Sequence, residues 1–468
     1  MNRDRRLVRN TVIYFIGNIS TKLMAFLLLP LYTTYLSPID YGEVDLIFTY
    51  TSIIIPIMTL QITFAAFRYL FDSNKYEEQK KIISNAVIVQ IIGMSVFSVI
   101  YIFLLDIFNF KMGFIIIIYI LLNSFSDMMQ QLIRGLGKNV IFASVGVIST
   151  TIQLICNIIF IVGIGMKSEA LIISPIIAFI VSIIYMMFTS KIYKYFSFKE
   201  FDKEDIKLML RYSIPLVPDA VCWWLLLGFG RMFLSYTNGI EAVGIYAVAN
   251  KFPSLLTTFY SIFNLAWQEN SFSEYNKLDR DEYYSNVYNG LVRFIMGIVI
   301  IAIPFTKLVA PFMIGKSFEN SYLCIPILYL AATFNILSTF YGAGFESAKN
   351  TNGILFSTLL SMITNIVLNL ILTPLLGIFG TAIALTISYI ILLISRIIRS
   401  KKFFSINVDK KLLMILSIFI SINFMLYYFS NNSLQIILIV LGIVIFIIVN
   451  FNFIKTLFYV LRIKKSKI

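Results

Sequence analysis

Fourteen apolar stretches divide this chain, and its basic residues crowd into every second gap between them. A membrane-crossing helix needs roughly 20 apolar residues, because about 30 Å of hydrocarbon is spanned at about 1.5 Å per residue. Stretches that meet this requirement fall near 10–35, 44–70, 82–105, 112–134, 140–164, 170–190, 212–236, 242–268, 288–312, 322–346, 354–376, 378–398, 410–430 and 434–460. Pro374, Gly377 and Gly380 read as a tight turn separating the eleventh from the twelfth. The chain is 59% hydrophobic and 13% charged, against about 25% charged in soluble domains. A soluble chain of 468 residues has no interior able to absorb so much apolar surface. The sequence therefore predicts an all-α integral membrane protein.

The gaps give its orientation. Arg3, Arg5, Arg6 and Arg9 precede the first span, and Lys75, Lys80 and Lys81 lie in the second gap. The sixth gap holds Lys191, Lys194, Lys199, Lys203, Lys207 and Arg211. The twelfth holds Arg396, Arg399, Lys401, Lys402, Lys410 and Lys411, and the tail carries Arg462, Lys464, Lys465 and Lys467. The odd gaps hold only Lys111, Lys167, Lys307 and Lys316. Cytoplasmic loops carry the excess of Lys and Arg, so the even gaps and both termini are expected in the cytoplasm. The basic start followed by an apolar run is too long for a signal peptide and lacks a small-residue cleavage site, so it reads as the first span.

The same pattern excludes other functions. The net charge of +14 sits at helix ends, which argues against a nucleic-acid partner. There is no His, and Cys156, Cys222 and Cys324 are far apart in apolar runs, so neither zinc spacing nor a disulfide framework is present. No metal or cofactor is expected. Gly315-Lys316-Ser317 mimics the end of a P-loop, but Ala310 stands where the upstream glycine belongs. Energy must come from an H⁺ or Na⁺ gradient, the membrane potential, or downstream consumption of product.

Six spans precede the basic segment 191–211 and six follow it. Ser37–Gly42 (SPIDYG) matches Gly239–Gly244 (GIEAVG), and Ser149–Ile158 (STTIQLICNI) matches Ser357–Ile366 (STLLSMITNI), pairing Asn157 with Asn365. A repeat of six spans keeps its orientation, so the halves are expected to be parallel, related by an axis along the membrane normal. The expected organisation is a six-helix bundle over 1–190, a basic linker over 191–211, a second bundle over 212–402, and two extra spans with a basic tail over 403–468.

Three segments carry a family resemblance: Lys22–Gly42 (KLMAFLLLPLYTTYLSPIDYG), Arg231–Phe252 (RMFLSYTNGIEAVGIYAVANKF) and Asn365–Tyr389 (NIVLNLILTPLLGIFGTAIALTISY). They resemble the Wzx-type polysaccharide-repeat-unit flippases of the multidrug/oligosaccharidyl-lipid/polysaccharide (MOP) exporter superfamily. The resemblance implies a V-shaped pair of six-helix bundles with two added helices. It also implies transfer of undecaprenyl-diphosphate-linked oligosaccharide from the cytoplasmic to the outer leaflet for cell-surface polysaccharide, with polymerases and other biosynthetic proteins as partners. Relatives often carry an acid just before the Arg of span 7, whereas Gly230 precedes Arg231 here, which puts a local ion pair at this site in doubt.

A charge in mid-bilayer costs roughly 2.5–3.5 kcal/mol on insertion scales, so it usually faces a cavity or a partner. Lys22 lies deep in span 1, Arg231 in the outer half of span 7 and Lys251 in the outer half of span 8. As cations not needed for orientation, these three are the candidate ligands for an anionic diphosphate substrate; snorkelling to the headgroups is the competing explanation. Asp127 in span 4 and Asp219 between Pro218 and an apolar stretch are candidates for ion coupling or gating. Arg68 and Arg134 end their spans and read as anchors or cytoplasmic-side contacts. Pro215 and Pro218 are expected to kink span 7. Two other functions stay open: a drug or small-molecule antiporter of the same superfamily, whose cavity would be acidic, and a membrane-embedded polymerase, for which the external loops are short.

Overall fold

The computed structural model describes residues 26–73, 75–108, 112–348, 350–451 and 455. Every regular element among them is helical. Their contacts separate into two compact units, Tyr35–Arg231 and the described part of Met1–Thr34 together with Met232–Ile468. Twelve helical segments among the described residues are long and apolar enough to cross a membrane. Two of the fourteen expected spans are missing from that set. The first lies largely outside the described residues. The eighth forms a helix of 35 residues, Ile240–Glu274, but Asn250, Lys251, Ser254, Thr257, Thr258, Ser261 and Asn264 dilute its apolar character.

The short helix α1, Leu29–Tyr35, belongs to the other unit up to Thr34, and the first unit opens with α2, Pro38–Thr59. SPIDYG is a helix start: Ser37 Oγ accepts from Asp40 N at 3.2 Å, Asp40 Oδ2 accepts from Ser37 N at 3.1 Å, and Pro38 takes a position where no amide bond is lost. The span expected over 44–70 is not one helix. It breaks at Leu60 and Gln61, both left-handed at φ 51° and 55°, and resumes as α3, Ile62–Asp72. A non-glycine residue rarely adopts this conformation, and two in succession mark a fixed bend. Helix α4, Tyr76–Phe108, lies against the bend. A Cβ on Gly93 would sit 2.1 Å from the Met58 carbonyl oxygen, so only glycine permits this approach.

Helices α5 (Gly113–Gly135), α6 (Asn139–Asn157, extended by a π turn over Ile158–Ile164) and α7 (Ser168–Ser190) follow. Helix α8, Lys203–Ser213, is amphipathic and starts on an Asp202 cap. The expected interruption of span 7 is present: the chain turns at Ile214 and Pro215 before α9, Leu216–Asn238. Ile62, Ala65, Ala66, Leu70, Ile83, Met128, Leu132, Met186 and Met209 form one buried cluster that binds α3, α4, α5, α7 and α8 together.

The second unit contains α10 (Ile240–Glu274), α11 (Arg280–Met313), α12 (Ile325–Ser347), α13 (Thr351–Leu376), α14 (Ile378–Ser400), α15 (Lys410–Phe429) and α16 (Asn432–Val449). The tight turn between α13 and α14 is where Pro374, Gly377 and Gly380 place it: Gly377 has φ +55°, and a Cβ on Gly380 would lie 2.1 Å from the Leu372 carbonyl oxygen. The core here is aromatic. Trp267 stacks on Phe340 at 4.2 Å, and Tyr284, Tyr341 and Phe345 surround the buried Phe404 at 5.6, 6.2 and 5.8 Å.

Candidate functional site

Two helices of the first unit present matched faces. Asp45, Phe48, Thr49 and Ser52 follow the i, i+3, i+4, i+7 spacing of one side of α2, and Trp224, Leu227, Gly228 and Arg231 repeat it on α9. Together with Ala220 and Trp223 they line a cavity of about 400 Å³. Trp224 Nε1 donates to the Thr49 carbonyl at 2.6 Å and fixes the spacing of the two helices. A Cβ on Gly228 would press on Thr49 Cγ2 at 2.9 Å and on the Trp224 ring at 3.0 Å, so glycine sets the closeness.

An ion pair closes the cavity: Arg231 Nε lies 3.3 Å from Asp45 Oδ2, and both side chains keep partial exposure, 23% and 17%. The contact is chiefly Coulombic, since neither atom meets hydrogen-bond geometry. Pairing removes most of the reason for Arg231 to snorkel outward. The doubt raised by Gly230 is thereby resolved: the acid comes from α2 rather than from the preceding position. Asp45 escapes a reading by hydropathy because the apolar run of span 2 starts at Val44, whereas the helix starts at Pro38. That difference turns an acid at the edge of a span into one two turns inside a helix. Thr49 Oγ1 donates to the Asp45 carbonyl at 2.7 Å and Ser52 Oγ to the Thr49 carbonyl at 2.6 Å. Their oxygen lone pairs remain available as acceptors. The cavity thus offers a guanidinium, a carboxylate, indole faces and hydroxyl oxygens.

The other sequence candidates take varied places. Lys22 lies outside the described residues. Lys251 is half-buried on α10 and engaged electrostatically. Asp127 is exposed on α5 and makes no ion pair among the described residues; with Asn123, Gln130, Gln131 and Arg134 it forms a polar stripe along that helix. Asp219 is half-buried in the first turn of α9, where a negative charge favours the helix dipole, and it too has an interaction partner. Arg68 pairs with Asp72 at 2.5 Å on an exposed face. The Arg134 guanidinium lies over the Phe67 ring at 4.7 Å and the Phe142 ring at 5.9 Å, the geometry of an aromatic anchor. No group of His, Cys, Asp and Glu suited to a metal occurs among the described residues.

One buried cation was hidden by its position. Arg396 looks like an orienting residue at the end of span 12 but is 2% exposed. Its Nη1 donates to the Ser338 carbonyl at 2.8 Å and its Nε to Ser357 Oγ at 3.3 Å, with Glu346 and Tyr260 within electrostatic range. It joins α12, α13 and α14.

No curated protein sequence matches the chain. Among solved structures, the lipid II flippase MurJ in an inward closed conformation superposes with TM-score 0.67 at 18% identity, over 96% of this chain and 100% of that one. An inward-facing multidrug resistance MATE transporter of the MOP superfamily gives TM-score 0.65 at 13% identity, covering 85% of this chain and 98% of its own. A MOP superfamily transporter from Pyrococcus furiosus, described as having a binding pocket of reversed polarity, gives 0.57 at 15%, covering 86% and 97%. These likenesses establish the fold of a multi-pass membrane transporter. The profile of the family described as "Polysaccharide biosynthesis protein" matches residues 7–267, more than half of the sequence, and the chain belongs to that family.

Proposed function

We propose that the protein is a flippase that moves polyprenyl-diphosphate-linked oligosaccharide from the cytoplasmic to the outer leaflet by alternating access, in the synthesis of a cell-surface polysaccharide. The observation that carries this reading is the cavity closed by Asp45 and Arg231. A guanidinium is the side chain best shaped for a phosphate oxygen pair. Indole faces beside hydroxyl acceptors suit the apolar ring faces and polar rims of sugars. In the resting arrangement Asp45 holds Arg231. Diphosphate competes for the guanidinium, and protonation of Asp45 or arrival of a cation would release it, which gives ion coupling a physical route. Lys22 and Lys251 are proposed as further cations for the same substrate, and Asp127 and Asp219 as further coupling or gating acids. Membrane lipid and the polymerase that consumes the flipped unit are the proposed partners.

A second reading, an ion-coupled drug antiporter, is favoured by the likeness to MATE transporters. It fits the cavity less well, because a cationic drug requires an uncompensated acid and Asp45 is compensated by Arg231. Reconstitution into liposomes separates the two. We expect labelled polyprenyl-diphosphate oligosaccharide to exchange between leaflets only when the protein is present. Efflux of a cationic dye without lipid exchange would overturn the flippase reading.

A further inference from the structure

A larger cavity lies away from the Asp45–Arg231 pair, in the same unit. It has a volume of about 1110 Å³ and is walled by Ile54, Ile57 and Leu60 of the α2 bend, Ile92, Val96 and Ile100 of α4, and one side of α8. That exceeds the roughly 300–1,000 Å³ of ordinary small-molecule sites. The α2 and α4 walls are wholly apolar and stay open: Ile57, Ile92, Val96 and Ile100 are each at least half exposed. The third wall is different. Lys203, Lys207 and Arg211 line it at i, i+4 and i+8, so three cations stand along one face of α8 over about 12 Å.

These cations contrast with the others at the same junction. Lys80 is paired with Glu200 at 2.8 Å, and Lys81 with Asp202 and Asp205 at 2.7 Å each. Glu200, Asp202 and Asp205 are therefore turned toward α4. Lys203, Lys207 and Arg211 are exposed and have no carboxylate partner among the described residues. Helix α8 thus turns Asp205 to the protein and lines an apolar groove with three cations, with Glu204 exposed at their flank. Local propensity does not require this, since alternating opposite charges at i, i+4 would stabilise the helix better.

From this arrangement we infer a binding site for an anionic glycerophospholipid, its acyl chains in the groove of α2 and α4 and its phosphate on the basic face of α8. Charge complementarity selects the occupant. A zwitterionic lipid offers the groove the same chains but no net charge to three uncompensated cations. Attraction of anionic headgroups is worth about 1 kcal/mol per Lys or Arg near the surface, or about fivefold in affinity for each. A lipid seated there would brace the α2 bend against α8.

The test uses the full-length protein purified in a neutral detergent. Thermal unfolding is followed with phosphatidylglycerol or phosphatidylcholine carrying the same acyl chains, and retained lipid is counted by native mass spectrometry. We expect phosphatidylglycerol to be retained and to raise the midpoint more than phosphatidylcholine. The triple variant K203Q/K207Q/R211Q, altered only at exposed positions, should fold normally and lose that preference by at least tenfold in affinity. Equal retention of the two lipids by the unaltered protein overturns the site, as does a triple variant that keeps the preference. Displacement of bound phosphatidylglycerol by equimolar polyprenyl diphosphate would assign the groove to a transported lipid instead, and also overturns it. Loss of leaflet exchange with the preference intact would count against the flippase reading and leave the lipid site standing.

Discussion

The two units close the end that carries their basic loops with the same device, built from different materials. In the first, Ser84 Oγ and Asn85 Oδ1 accept from Ser197 N and Asp202 N, both at 3.0 Å, and Asp202 then caps α8. In the second, Ser285 Oγ and Asn289 Oδ1 accept from Asn407 N at 2.8 Å and Asp409 N at 3.0 Å, and Asp409 then caps α15. A Ser and an Asn near the start of the third helix of each half thus hold the chain that leaves the sixth. The two latches use the same residue types, and no alignment of apolar runs would pair them. Around the shared latch the units diverge. The first is reinforced by exposed ion pairs from Lys80 and Lys81. The second is reinforced by Phe404, buried among Tyr284, Tyr341 and Phe345. Charge is treated the same way: Arg231 borders a cavity with one acid, while Arg396 is consumed in packing. At these two arginines the first unit keeps its charge where a ligand or solvent can compete for it, and the second does not.

The two arginines give the sharpest way to break that contrast. Arg231→Ala should insert and unfold near the normal midpoint, yet abolish leaflet exchange of labelled lipid-linked oligosaccharide. Arg396→Ala should fail at the earlier step. It removes a buried guanidinium and its bonds to the Ser338 carbonyl and Ser357 Oγ, both in a closed interior, at a cost of about 1–3 kcal/mol for each acceptor left short of a partner. Thermal unfolding and flipping measured on both variants would show whether the defects separate; a stable, inactive Arg396→Ala would place that residue in the transport path instead.

Next in size is the aromatic seal. Phe404→Ala removes a fully packed ring and should cost about 3–5 kcal/mol. A Cβ on Gly344 would meet the Phe404 ring at 2.3 Å, so Gly344→Ala should act on the same contact in the opposite sense, by overpacking, at about 1–3 kcal/mol. The counterpart in the first unit, Phe198, is 70% exposed, and Phe198→Ala should stay within about 0.5 kcal/mol. Comparable losses from Phe198 and Phe404 would mean the latches are alike after all.

How much of this the sequence reveals depends on the periodicity involved. Apolar runs locate α5, α7 and α14 within a few residues, because lipid exposure demands an unbroken stretch, but they miss the polar first turns of α4 and α11. They do not reveal the bend at Leu60 and Gln61, which has no glycine or proline and is fixed by the approach of Gly93. They under-read α10, where polar residues are carried on a helix of full length. Subtracting the orienting charges correctly isolates Arg231 but cannot find Asp45, whose helix begins before its apolar run. The same subtraction hides Arg396, since an arginine at a span's end looks identical in sequence whether its side chain turns outward or into the bundle.

The smallest effect tests the ionic latch itself. The Lys81 ammonium, hydrogen-bonded to Asp202, holds that carboxyl below the usual aspartate value of about 3.9. A depressed carboxylate adds stability that is present above its unfolded value and lost as pH falls through its lower folded value. The first latch should therefore loosen under acid, below about pH 4, and also in about 1 M salt, where screening shortens to about 3 Å. The second should respond less to both, because its seal is aromatic and Arg293 lies 3.9 Å from Asp409, which leaves Asp281, paired with Arg280 at 2.7 Å and accepting from Ser405 Oγ at 2.8 Å, as its one short ionic contact among the described residues. Amide hydrogen exchange, corrected for the intrinsic rate at each pH, should rise more across 196–213 than across 403–409. A parallel rise in both segments would show that the shared Ser and Asn bonds, and not what surrounds them, set the strength of each latch.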